Sequence, residues 1–418
     1  MIDHPLTLTA VIAAATLTAF LLDYKVPALG KVGASLLALI LGALLSNFGV
    51  VPAASPVYDQ IAGPVTLLAI AWLLLAVNVS DLKVAGPRMV GAFALAAVGT
   101  ATGAFVGALV FAGFLGEDTW RLAGTLTGTY TGGSLNFVAV GTGLGLPAQL
   151  FAGATAADAL TTGLWLGATL LLPLWIGRFY PPVPEAALRV PGAREDGAEG
   201  AGPTASGEPV PGTTTGPEGD HAHHPFFLRQ PVSTLDLAVL LAAGFFLLAA
   251  SGAMATWLGG LAEAGVVPGW IGGIPSVLWL TTFALVLGHT RFFREPSGAL
   301  QLGTLALHFF FVVIGIWSRV SEILAVGVEV FFYTLVVVGV HGLVVFGGGK
   351  LARIDVGSLA VASQAAVGGP SSALAVAVSR KWPGFILPGI IVGLFGYAVG
   401  NYLGFGVAYL VRGLGIGL

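Results

Sequence analysis

The chain has 418 residues, of which 56% are hydrophobic and only 9% charged, against about 25% charged in an ordinary soluble domain. With a mean hydropathy of +0.92 and apolar runs of about twenty residues or more, it reads as a polytopic helical membrane protein. A soluble fold of this size would lack the polar residues to cover its surface. The formal net charge of −3 is too small to imply a nucleic-acid partner, and the absence of Cys removes disulfides, thiolate nucleophiles, iron–sulfur clusters and Cys-ligated zinc.

The first 22 residues carry no basic region and no small-residue cleavage site, which predicts a first span rather than a signal peptide. Windowed hydropathy places apolar segments near 6–22, 29–50, 61–79, 87–115, 119–145 and 148–177. A second series follows near 233–252, 270–288, 300–317, 323–347, 356–378 and 383–411. Between them, at about 181–231, lies a stretch rich in Pro, Gly, Ala, Thr and acidic residues that cannot bury a core. The predicted organisation is therefore a first transmembrane repeat over 1–178, a disordered polar linker over 179–231 and a second transmembrane repeat over 232–418. His221, His223 and His224 in the linker form a short cluster that could bind a metal but reads as part of a solvated polar tract.

The halves repeat. The fifth segment carries Thr131-Gly132-Gly133-Ser134-Leu135-Asn136 and the eleventh carries Ala366-Val367-Gly368-Gly369-Pro370-Ser371-Ser372. Each is followed at a similar distance by a Pro, a long apolar span and a related ending, Gly163-Leu164-Trp165-Leu166-Gly167 in one and Gly400-Asn401-Tyr402-Leu403-Gly404 in the other. Internal duplication in a membrane chain points to a transporter architecture more often than to a channel or an enzyme. The Lys and Arg residues of the short loops obey the positive-inside rule better if the second half is inverted relative to the first. Twelve simple crossings split evenly would make the halves parallel, so inversion requires a re-entrant segment or an extra crossing, giving eleven to thirteen.

Gly-Gly flanked by hydroxyl and amide side chains makes a poor continuous span, since Gly costs about 1 kcal/mol and Pro about 3 kcal/mol in a helix interior. Breaks are predicted near 131–136 and 366–372. Unwound backbone inside a bilayer survives only where protein or a water-filled cavity surrounds it, and paired breaks bring half-helix ends that bind anions and free carbonyls that bind cations. Thr131, Ser134, Asn136, Ser363, Gln364, Ser371 and Ser372 supply further ligands. The alternative is close Gly-mediated packing with Ser and Thr bonded to their own helices. Asp158, in Ala154-Thr155-Ala156-Ala157-Asp158, lies well inside a span, where a carboxylate costs about 2.5–3.5 kcal/mol and should face a cavity, a cation or a proton path; a structural Asp bonded to hydroxyls is the competing reading. Asn401 with Tyr397 suits a cavity lining or an interhelical hydrogen bond equally. His308 and His341 read as satisfied buried histidines, and Glu329 as a headgroup-level side chain. No catalytic constellation, metal-ligand cluster or nucleotide fingerprint is present, so the chain does not read as an enzyme.

At these residues the chain resembles the YjcL-like membrane family of unknown function. The run Thr131-Gly132-Gly133-Ser134-Leu135-Asn136-Phe137-Val138-Ala139, the run Ala366 to Ser372 and the tail from Pro388 through Gly396-Tyr397-Ala398-Val399-Gly400-Asn401 carry the likeness. That family is grouped with the cation:proton antiporter and anion transporter superfamily, whose members include sodium/proton exchangers and bile-acid and glutamate symporters. The resemblance implies a panel domain, a core domain with two crossing broken helices, and often a homodimer. The acidic residue that exchangers place after the first broken helix corresponds to Asp158, although here it follows Ala157 rather than an acid or Asn, and no membrane Lys partners it. The expectation is a secondary transporter in a bacterial inner membrane, moving a small carboxylate or amino-acid-like solute with Na⁺ or H⁺ and no other cofactor. Asp158, Asn136, Ser134 and Thr155 would bind the ion. Thr131, Gly132, Gly133, Gln364, Gly368, Gly369, Ser371, Ser372 and Asn401 would bind the solute. Its partners would be the solute, the bilayer and a second copy of the chain, with no nucleic acid; the alternative is a cation/proton antiporter without organic substrate.

Overall fold

The computed structural model describes residues 2–26, 29, 33–188, 231–294, 296–317 and 320–417. Every regular element among them is helical, as a hydrocarbon solvent demands: with no water to satisfy an open edge, each backbone group must bond within its own helix. The first half runs α1 (Pro5–Lys25), α2 (Ala34–Asn47), α3 (Thr66–Leu75), α4 (Leu82–Leu115), α5 (Thr119–Gly132), α6 (Ser134–Gly143) and α7 (Ala148–Ile176). The second runs α8 (Thr234–Glu263), α9 (Ser276–Gly288), α10 (Ala299–Trp317), α11 (Val320–Leu351), α12 (Val356–Ser379) and α13 (Ile386–Gly413). Eight stretches are long and apolar enough to cross a bilayer; one of them, Pro56–Gly132, holds α3, α4 and α5, and α2 and α9 are shorter apolar helices. This is a polytopic all-α membrane protein.

Helices occur in the order that hydropathy gives, with two differences. The segment expected over 119–145 is two helices, and the one expected to end near 252 continues to Glu263, because the intervening Gly and Ala residues stay helical when neither cap nor Pro stops them. Residues 189–230, with the three linker histidines, lie outside the described residues. Residues 179–188, grouped by composition with the linker, are folded: the Tyr180 hydroxyl donates to the Phe346 carbonyl at 2.7 Å and Ala187 is buried. Tyr180, Val183 and Ala187 provide apolar surface against α11, α12 and the start of α13, which the Pro- and Gly-rich remainder lacks.

Glycine sets the closest helix contacts. Without a hydrophobic drive between helices in lipid, small residues that let backbones approach supply the attraction through dispersion. On α4, Gly99, Gly103 and Gly107 recur every fourth residue and meet His341, Val337 and Tyr333 of α11. A Cβ on Gly99 would stand 3.0 Å from the His341 Cα, and the Tyr333 hydroxyl donates to the Ala104 carbonyl at 2.7 Å. On α5, Gly124, Gly128 and Gly132 face Gly404, Gly400 and Gly396 of α13 in antiparallel register. Further along α13, a Cβ on Gly393 would lie 2.8 Å from the Pro370 nitrogen of α12. One helix therefore backs both of the interrupted ones.

A Cβ at Gly400 would sit 2.7 Å from the Asn136 side chain and 3.1 Å from the Gly128 carbonyl, whereas Gly406 on the same helix opens on empty space. Gly400→Ala should therefore cost about 1–3 kcal/mol, and Gly406→Ala should change stability by no more than about 0.5 kcal/mol. Thermal unfolding of the two variants in detergent separates them, and equal stability would remove the close contact.

Candidate functional site

The first break falls at Gly133, with φ 75° and ψ −163°; the second falls at Gly369, with φ 79° and ψ −172°. Positive φ with an extended ψ is a region open to glycine alone, so two independent sites have reached the same backbone solution. Gly133 closes α5 through its N–H on the Thr129 carbonyl at 2.6 Å and opens α6 with its own carbonyl, which accepts from the N–H groups of Asn136 and Phe137. At the second break Pro370 starts the new half-helix, where its missing N–H would have had no helical acceptor anyway. The Ser372 hydroxyl bonds back to the Gly368 carbonyl at 2.9 Å. The breaks lie side by side: a Cβ on Gly133 would be 3.9 Å from the Gly369 Cα, and one on Gly369 would be 4.0 Å from the Tyr397 hydroxyl.

Beside the breaks is a cavity of about 310 Å³. Gly133, Ser134, Val367 and Gly368 bring both interrupted helices to it, and α7 adds Thr155, Asp158 and Thr162. Asp158 is half-buried, with its Oδ1 accepting from the Thr162 hydroxyl at 3.3 Å. Behind it the buried Tyr130 phenol faces the Asp158 carboxyl together with Thr161 and Thr334, without the geometry of a formed hydrogen bond. Asp23 of α1, Ser35 of α2 and His308 of α10 complete the polar part of the wall. Asp23 and Ser35 escape the sequence reading and His308 is undervalued by it. Asp23 ends α1 next to Tyr24 and Lys25 and so resembles an interfacial anchor; only the fold shows that it is buried.

Several of the expected ligands form hydrogen bonds between helices. Asn136 is fully buried, donating to the Tyr397 carbonyl at 2.9 Å and to Asn401 Oδ1 at 2.8 Å, and Asn401 donates in turn to the Thr281 hydroxyl at 2.9 Å. Of the two readings of Asn401, the interhelical bond is the one seen. Gln364 accepts from Thr169 at 3.2 Å and Ser371 is exposed. Thr131, Gly132, Asn136, Gln364, Gly369, Ser371, Ser372 and Asn401 are not among the lining residues of the cavity, whereas Ser134, Thr155, Asp158, Gly133 and Gly368 are. Asn136 Oδ1 and the hydroxyls of Thr129 and Thr131 are nonetheless buried without a hydrogen-bond partner, and buried oxygens in that state are rare.

A second buried network joins the core helices. Thr100 donates to the Tyr130 carbonyl at 2.8 Å, so its oxygen accepts from His341 Nδ1 at 2.9 Å. The Trp165 indole donates to Ser363 at 2.9 Å, leaving the Ser363 proton for His341 Nε2 at 2.8 Å. Every donor finds an acceptor with one neutral tautomer of His341, which is the satisfied histidine that the sequence suggested. Glu329 has one carboxylate oxygen buried against the protein.

With the two breaks adjoining a cavity that holds a carboxylate, comparison with known sequences gives the chain its family. Residues 9–187 and 219–414 match the family described as DUF819, protein of unknown function. The chain belongs to this family. The uncharacterized membrane protein YjcL of Bacillus subtilis (strain 168) is 26% identical over 375 residues, covering 89% of this chain and 88% of the relative. The family match skips 188–218, so the DUF819 likeness resides in the helical halves and not in most of the polar stretch between them. As a member of DUF819 with this helix content, the chain is an integral membrane protein.

Gly133 and Gly369 have room for a methyl group but not the φ for one. Gly133→Ala and Gly369→Ala should each cost about 1–3 kcal/mol of backbone strain. Two unfolding transitions indistinguishable from the parent's would mean that the backbone relaxes at little cost.

Proposed function

We propose that this protein is a secondary active transporter of a bacterial cytoplasmic membrane, coupling Na⁺ or H⁺ to the movement of a small organic solute by alternating access. The observation that carries this reading is the meeting of two glycine breaks at a cavity that also exposes Asp158. A carboxylate at that depth is expensive unless a cation or proton compensates it. The half-helix ends at the breaks hold backbone groups that a continuous helix would have satisfied. Asp158 takes the coupling cation, with Ser134 and Thr155 as neighbouring oxygens on the same wall. The unpaired oxygens of Asn136 and Thr131 behind the first break support binding of a hard cation, which favours oxygen ligands.

In this reading the wall formed by α6, α7 and α12 is the part that moves relative to α1, α2 and α10, and the cavity between them opens to one side of the membrane at a time. The likeness to exchanger and symporter families supports the same division into core and panel, an inverted duplication and a homodimer. The polar stretch acts as a tether between the halves.

Purified protein in proteoliposomes tests the proposal. Asp158→Asn should remove ion-dependent stabilisation and ion-dependent uptake while the protein still elutes as a folded species; full ion dependence in that variant takes Asp158 out of the mechanism. Ion flux in vesicles with no organic solute present would replace cotransport by cation/proton exchange.

A further inference from the structure

Behind Asp158 stands a buried phenol with no bond of its own. Tyr130 lies in the last turn of α5, three residues before the break at Gly133. The break takes helical donors away from that turn, and the Thr100 hydroxyl of α4 donates to the Tyr130 carbonyl at 2.8 Å instead. The side chain is fully buried and its hydroxyl has no hydrogen-bond partner among the described residues. It faces the Asp158 carboxyl and the hydroxyls of Thr161 and Thr334. A buried O–H left unpaired carries its desolvation cost with nothing in return, and such groups are rare in folded proteins.

The protons of its neighbours can be placed. Thr334 Oγ1 donates to the Phe331 carbonyl at 2.7 Å, so in its 2.7 Å contact with Thr161 it accepts. The Thr161 proton is spent there, and both threonines present only lone pairs to the phenol. On Asp158, the Thr162 hydroxyl at 3.3 Å engages Oδ1 alone. Tyr130 therefore has one proton and two kinds of acceptor: a neutral pair that joins α7 to α11, and a carboxyl on the cavity wall whose charge a cation offsets.

We propose that Tyr130 is the positioning residue of the cation site: its hydroxyl donates to the Asp158 carboxylate when no cation is bound and returns to Thr161 and Thr334 when a cation takes its place. This rests on the reading of Asp158 as the ligand of the coupling cation and adds the group that the cation displaces. A hydrogen bond to an ionised acceptor is about twice as strong as one between neutral groups, so the ion-free carboxylate holds the phenol. A bound cation removes that advantage, and the threonine oxygens become the better acceptors. The same bond serves the empty carrier. Bringing a carboxylate through a low dielectric is costly, and an O–H aimed at it reduces the cost.

Thermal unfolding of the full-length protein in detergent, in choline chloride or in NaCl, tests the assignment. In choline, Tyr130→Phe should lower the unfolding temperature of the parent and leave that of Asp158→Leu unchanged, because the partner lost is the carboxylate. In NaCl, Tyr130→Phe should reach half-maximal stabilisation at a several-fold lower concentration than the parent, since a competitor for Asp158 has gone. Loss of packing alone would weaken Na⁺ binding or leave it as it was. Thr334→Val should move the Na⁺ midpoint the opposite way: the freed Thr161 proton turns to the phenol oxygen and leaves the phenol proton for Asp158. That variant serves where Tyr130→Phe is not recovered folded. Equal effects of Tyr130→Phe on the parent and on Asp158→Leu overturn the assignment, as does a Na⁺ midpoint unchanged or raised in Tyr130→Phe, or unchanged or lowered in Thr334→Val. A Tyr130–Asp158 coupling that persists in a protein that Na⁺ does not stabilise would remove Na⁺ from the ion-site reading while the phenol–carboxylate bond stands.

Discussion

The antiparallel contact between α5 and α13 fixes how close the two breaks can lie. Three glycines on each helix line the contact, and a Cβ on Gly124, Gly132, Gly396, Gly400 or Gly404 would collide with the opposite backbone. In lipid this is the available form of strong helix association, because dispersion falls off steeply with distance and no water is released to drive contact. Since α13 also presses Gly393 against Pro370, it holds the end of α5 and the middle of α12 against one surface. The positive-φ glycines then occur at neighbouring points, and their unsatisfied backbone groups share one cavity instead of opening two.

Polar residues around the breaks divide by what they face. Several bond from helix to helix: Asn136 to Asn401 and on to Thr281 on the α13 side, Thr169 of α7 to Gln364, and a chain from Trp165 through Ser363 and His341 to Thr100 and the Tyr130 carbonyl. In a low dielectric such pairs bind firmly only when complete, since an unpaired member carries its full desolvation cost. The residues turned the other way, Ser134, Thr155 and Asp158, stay available to the cavity. A rigid interior behind a wettable wall is the arrangement an alternating-access core would need: it can move as a unit while the groups that meet solute and ion remain free to exchange partners.

Much of the fold was legible from residue types. Apolar runs of bilayer length located the helices, and Gly-Gly with an adjacent Pro or Ser located both breaks to within a few residues. Asp158 was legible because its cost in hydrocarbon is large whatever the fold. The every-fourth-residue glycines at 124, 128 and 132 and at 396, 400 and 404 were equally visible, yet a spacing in one segment does not say which other segment meets it. Side-chain roles near the breaks were less legible. An Asn two residues after a break can turn toward the cavity or toward a neighbouring helix, and helical periodicity alone leaves that choice to the packing. Asp23, Ser35 and His308 come from helices far apart in sequence, so no local pattern marked them as one group.

What the sequence determined by itself is what lipid enforces residue by residue: helical spans of bilayer length, interruptions where glycine and proline withhold helix, and one carboxylate that must be compensated. Which groups surround that carboxylate was decided only by the tertiary structure. The sign of charge across a cavity and the count of free donors and acceptors on its wall are sums over side chains from five or more helices, and those sums exist only once the helices are packed.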